Sequence, residues 1–151
     1  MKEFKNINEI LDFAITSEQE AVDFYAGLAL RSRNDQMKKV FTDFAQEEMK
    51  HKVRLTSIKE SNSFQMSEEK VRDLRIAEYL VDVKPTPDMT YADALVLAMK
   101  KEKNAFRLYL MLSEEAADPS MKAVFMSLAQ EESKHKLKFE LEYDEYILKE
   151  N

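Results

Sequence analysis

Apolar residues recur along four stretches of the chain at alternating steps of three and four. In the first, Leu11, Ala14, Ala21, Tyr25 and Leu28 keep this rhythm, and Glu18 fills its one polar place. Leu95, Ala98, Ala105, Tyr109 and Leu112 keep it again, around Glu102. Phe41, Phe44 and Leu55 share the spacing, as do Phe125, Leu128 and Phe139; Glu48 with His51, and Glu132 with His135, complete these two stripes. Steps of three and four put side chains on one face, the seam of a helix packed against antiparallel neighbours. The pattern predicts four long helices, at about 7–32, 35–62, 90–116 and 119–148.

The four are two copies of one hairpin. FTDFAQEEMKHK from Phe41 and FMSLAQEESKHK from Phe125 set an offset of 84 positions. At that offset Leu11, Ala14, Glu18, Ala21, Tyr25 and Leu28 coincide with Leu95, Ala98, Glu102, Ala105, Tyr109 and Leu112, identical at every pair and without a gap. So long a repeat is no solenoid unit. It predicts an all-α four-helix bundle, a single domain over residues 1–151. Asn34-Asp35 and Asp118-Pro119 mark the hairpin turns, with Asp118 as cap and Pro119 in the first helical position. Residues 64–89 join the halves: a short helical pattern capped by Ser67 (Val71, Leu74, Ile76, Leu80), then Pro85 and Pro87. That is longer than a tight turn needs and long enough for one crossover along a bundle. Gly27, inside the first helix, should cost about 1 kcal/mol against Ala, and close packing against a neighbour is the expected reason for it.

Composition narrows the class. One Gly is too few for the turns of a sandwich or barrel. Zero Cys excludes disulfides, zinc–thiolate sites, iron–sulfur clusters and a Cys nucleophile. Lys and Arg number 23 against 29 Asp and Glu, a formal charge of -6, which argues against a nucleic-acid partner. No stretch reads as a signal peptide or membrane span, so a cytoplasmic protein without a membrane partner is expected. The nine Met read as core filler and the Lys-rich stretch around Lys100, Lys101 and Lys103 as a solvated face. No phosphate-binding Gly-rich loop or Ser/His/Asp arrangement stands out.

The chemistry lies in six polar residues on the apolar seams: Glu18, Glu48, His51, Glu102, Glu132 and His135. A buried unpaired carboxylate costs several kcal/mol, and four would consume most of a stability of about 5–15 kcal/mol. Geometry predicts that they share a level. Glu18 and His51 are equidistant from the Asn34-Asp35 turn, and Glu102 and His135 from Asp118-Pro119, so each Glu faces the Glu-x-x-His of its partner helix. Two divalent ions would neutralise four carboxylates, and oxygen with imidazole donors suits Fe, Mn or Zn. A salt-bridged core without metal would need Lys or Arg on the seams, which offer none. Tyr25 and Tyr109, two turns beyond Glu18 and Glu102, either hydrogen-bond a ligating carboxylate or are core tyrosines. Glu47 and Glu131 either orient an imidazole or are solvated.

Two Glu helices and two Glu-x-x-His helices pointing inward resemble the ligand set of the ferritin-like di-iron carboxylate superfamily. The E-E-x-K-H-K form, at Glu47–Lys52 and Glu131–Lys136, is most similar to its rubrerythrin branch. The resemblance implies a ferritin-like bundle with Glu18 and Glu102 as terminal carboxylates, Glu48 and Glu132 bridging two iron ions, and His51 and His135 each on one ion. It implies an oxidoreductase acting on peroxide or O₂, or oxidising Fe(II), and a homodimer. A dimanganese catalase-like enzyme and a non-enzymatic iron carrier are the rival expectations. Rubrerythrins carry a four-Cys rubredoxin-like domain; a chain without Cys would take electrons from an external donor, such as a rubredoxin-like protein. They also carry a further Glu three residues after the third-helix ligand, where this chain has Ala105. The ligand set is thereby symmetric, which favours a plain oxidase or ferroxidase site.

Overall fold

Each long helix starts where a side chain can satisfy the amide groups that a helix N-terminus leaves over. The structure, a computed structural model, describes residues 3–32, 34–81 and 84–150 of the chain. Among these the regular structure is helical, and the chain divides into two units, Met1–Tyr79 and Leu80–Asn151. The division falls within the connector expected at 64–89.

In the first unit, α1 (Ile7–Arg31) packs against α2 (Asp35–Ser61). The side-chain oxygen of Asn6 accepts from the Glu9 amide at 2.9 Å, and that of Asn34 from the Met37 amide at 2.8 Å. Asn34 is therefore the cap of α2 as well as part of the turn. At its far end α2 stops at Asn62, in the left-handed region at φ 54°, with its amide donating to the Ile58 and Lys59 carbonyls. Ile10, Leu11, Ala14, Tyr25 and Leu28 of α1 and Phe41 and Leu55 of α2 form the core, essentially without exposure. Ser67 caps the short α3 (Glu68–Leu74) as expected, and a single tight turn, Ile76–Tyr79, follows. Val71 and Ile76 are buried, while Leu74 and Leu80 are half-buried.

In the second unit, α4 (Tyr91–Glu115) packs against α5 (Pro119–Glu150). Thr90 and Asp93 form a reciprocal capping box. Asp118 accepts from the Ser120 amide at 3.1 Å, with Pro119 opening α5 as the sequence predicts. The turn is clamped from both sides: the Ser113 hydroxyl donates to the Lys122 carbonyl at 2.9 Å, and the Lys122 ammonium donates to the Ser113 carbonyl at 2.9 Å. Asn104 holds the incoming connector by its backbone, accepting from the Val81 amide at 3.1 Å and donating to the Val81 carbonyl at 2.7 Å. Leu95, Ala98, Leu112, Phe125, Leu128 and Phe139 are buried, and Tyr109 stacks on Phe125 at 6.3 Å between centroids.

The repeat persists in burial. Met37 and Met121, one repeat apart, are both 7% exposed and fill the core, whereas Met49 is exposed and the other described Met are half-buried, so the expectation of core filler holds for only part of them. Gly27 departs from expectation: a Cβ built there meets nothing within 4 Å, so close packing is not its reason. No described helix is long and apolar enough to cross a membrane.

Candidate metal centre

The α1–α2 hairpin delivers Glu18, Glu48 and His51 to one place. Glu18 sits between Ala14 and Ala21 on the buried face of α1, and Glu48 and His51 lie one turn apart on α2. All three are 2% exposed or less. His51 Nδ1 lies 3.6 Å from a Glu18 oxygen and 3.8 Å from a Glu48 oxygen, so one imidazole nitrogen stands between two carboxylates. The α4–α5 hairpin does the same with Glu102, Glu132 and His135, which are 3% exposed or less. His135 Nδ1 lies 3.8 Å from a Glu102 oxygen. Within each triad, every residue offers a donor atom within 4.8 Å of the others.

The donor set fits a divalent metal. Two ligand atoms at about 2.1 Å from one ion lie at most about 4.2 Å apart, and the 3.6 and 3.8 Å separations fall inside that limit. The donors are carboxylate oxygen and imidazole nitrogen, the set for Fe, Mn or Zn. Among the described residues no Lys or Arg is buried, whereas five Glu are. Two imidazoles and a bound cation are the positive groups that the six seam residues themselves could supply or hold.

The remaining candidates separate. Tyr25 and Tyr109 are buried, at 0% and 1% exposure. Their rings pack on aromatic neighbours, Tyr25 edge-on to Phe44 at 6.5 Å and Tyr109 on Phe125. Each lies two helical turns, about 10 Å of rise, from its Glu. Glu47 is exposed and Glu131 half-buried, each one residue off the ligand face. One buried carboxylate escaped the repeat search: Glu142, 2% exposed, accepts a hydrogen bond from the Tyr91 hydroxyl at 2.9 Å. It continues the α5 stripe one step beyond His135 and Phe139, and that step of three was the signal.

Repeated helical hairpins that bury a Glu opposite a Glu-x-x-His define a ferritin-like carboxylate protein. The rubrerythrin family model matches residues 9–143, nearly the whole chain. The protein belongs to the rubrerythrin family, a family of di-iron carboxylate proteins, and has its all-α ferritin-like fold. No curated protein and no solved structure matched significantly.

Proposed function

We propose that the two triads together form one dimetal site, filled by iron, and that the protein is an oxidoreductase that reduces peroxide or O₂ or oxidises Fe(II). The observation that supports this best is the burial of two carboxylates and one imidazole in each hairpin, at repeat-related positions and with ligand-compatible spacing. In this reading residues 1–151 work as one domain, each half contributing half of the donors. Glu18 and Glu102 would be the terminal ligands, Glu48 and Glu132 the bridging ones, and His51 and His135 would each hold one ion. Four carboxylates balance the charge of two divalent ions. The apolar residues along each stripe, Phe41, Phe44 and Leu55 in α2 and Phe125, Leu128 and Phe139 in α5, limit the water that reaches the donors. Bound iron would supply the redox chemistry toward the oxygen species.

The absence of Cys from these 151 residues makes an external donor part of the proposal, a rubredoxin-like protein being one kind. A cytoplasmic homodimer completes it. Ala105 and its repeat partner Ala21 leave the two halves matched in ligands, which favours ferroxidase over fast peroxidase chemistry.

Anaerobic reconstitution of the full chain with Fe(II), followed by metal analysis, should give about two iron ions per chain. Peroxide loss and Fe(II) oxidation are then followed in parallel over many turnovers. Absence of bound iron, or an unchanged iron affinity in Glu48→Ala, overturns the site. Iron binding without turnover of either substrate overturns the enzymatic reading and favours a carrier. Peroxide disproportionation only with manganese would favour the catalase-like alternative.

A further inference from the structure

The two hairpins match in their ligands but not at the end far from the turns. One repeat before Tyr91 stands Ile7, and one repeat before Glu142 stands Ile58. Both Ile are buried, at 9% and 7% exposure, so the fold accepts apolar residues at these positions. The second unit instead buries a phenol and a carboxylate, Tyr91 at 8% and Glu142 at 2% exposure. The Tyr91 hydroxyl donates to Glu142 Oε2 at 2.9 Å. The Tyr146 ring lies against that of Tyr91, with centroids 5.3 Å apart at 59°, and is itself half-buried. Burying a carboxylate where an Ile would serve is unfavourable, and the departure from the repeat calls for a chemical reason.

We propose that Tyr91 and Glu142 form a redox-active tyrosine site, in which Glu142 takes the phenolic proton when Tyr91 is oxidised. Oxidising a phenol makes its hydroxyl strongly acidic, so the reaction is easy only where a base is already in place to take the proton. The 2.9 Å hydrogen bond supplies that base in place. Tyr91 gives one electron to a one-electron oxidant and its proton to Glu142. The products are a neutral tyrosyl radical, a protonated Glu142 and the oxidant reduced by one electron. Returning one electron to the radical, and the proton from Glu142, restores the pair. Tyr146, tilted against Tyr91 and only half-buried, is placed to pass the electron between Tyr91 and a surface reductant. The oxidant in the cell would be a peroxide-derived one-electron oxidant; only this source rests on the function proposed above.

The test therefore supplies its own oxidant. A photogenerated ruthenium(III) polypyridyl complex is applied to the metal-free full chain, and tyrosyl radical is followed by transient absorption and freeze-quench EPR. The unmodified chain should give a long-lived neutral radical whose formation shows a solvent deuterium isotope effect. Glu142→Gln, which keeps an acceptor oxygen but is too weak a base, should slow formation by about 100-fold, the low end of what a positioned base contributes. The double variant Tyr91→Ile with Glu142→Ile copies the residues at the equivalent places in the first unit. It should keep its helical circular dichroism and lose the long-lived radical, while Tyr109→Phe keeps it. A radical of unchanged yield and lifetime in the folded double variant, or unchanged formation kinetics in Glu142→Gln, overturns the proposal. Because no metal is present, neither result bears on the iron site.

Discussion

Glu48→Gln should raise the melting temperature of the metal-free protein and remove most of the rise that divalent metal produces. In the first unit Glu18 and Glu48 are buried around one imidazole, with His51 Nδ1 at 3.6 and 3.8 Å. Two carboxyl groups so placed are costly to bury together, because ionised they repel each other. Gln keeps the shape of Glu and removes one of the two acidic groups, while the Glu18–His51 contact survives. Relief of part of a several-kcal/mol desolvation penalty should stabilise the metal-free form by about 2 kcal/mol. For a chain of this size that corresponds to a rise of about 4–8 °C. Metal works in the other direction: at a free concentration of 100 times Kd, each site adds about 2.7 kcal/mol, or about 5–11 °C. A hundredfold loss of affinity at the same concentration leaves about 0.4 kcal/mol per site. Thermal unfolding followed by circular dichroism, with chelator and with Mn(II) or Zn(II), reads both arms without redox chemistry. A variant that melts lower without metal and keeps the full metal-induced rise would refute the reasoning, because Glu48 would then be a structural residue and not a ligand.

Three further substitutions test the fold that carries the site. Gly27→Ala should stabilise by about 1 kcal/mol, since the added methyl meets open space within a regular helix; thermal melting checks the sign. Asn62→Ala should destabilise by about 1 kcal/mol, because Ala pays for the left-handed conformation that ends α2, and Asn62→Gly should not. Asn104→Ala removes two hydrogen bonds to Val81 and should cost about 1–3 kcal/mol; hydrogen exchange should show its largest increase at the Val81 amide.

The helices were legible because apolar spacing and turn chemistry agree. All four long helices lie within two residues of their expected ends, with Asn34 and Asp118 at the starts of α2 and α5. The burial of the six Glu and His residues was legible for a different reason: each is the polar exception on an otherwise apolar stripe. Features that break the repeat were hidden from a comparison of the two copies. Tyr91 and Glu142 replace Ile7 and Ile58, and self-similarity discards mismatches. Arg75, left-handed at φ 50° after α3, carries no sequence signal, since Arg has no preference for that region. The space around Gly27 is equally invisible, because it depends on which neighbours are missing and not on the glycine.

The placement of each donor triad about its own turn has a consequence for biosynthesis. Glu18 and His51 are 33 residues apart, as are Glu102 and His135. Helical hairpins with such local contacts form in microseconds to milliseconds. At about 5–20 residues per second a ribosome needs roughly 2–8 s to go from the end of α2 to Glu102. The residues of the first triad are therefore all synthesised before Glu102 has been added, and a cation that reaches the growing chain meets them first.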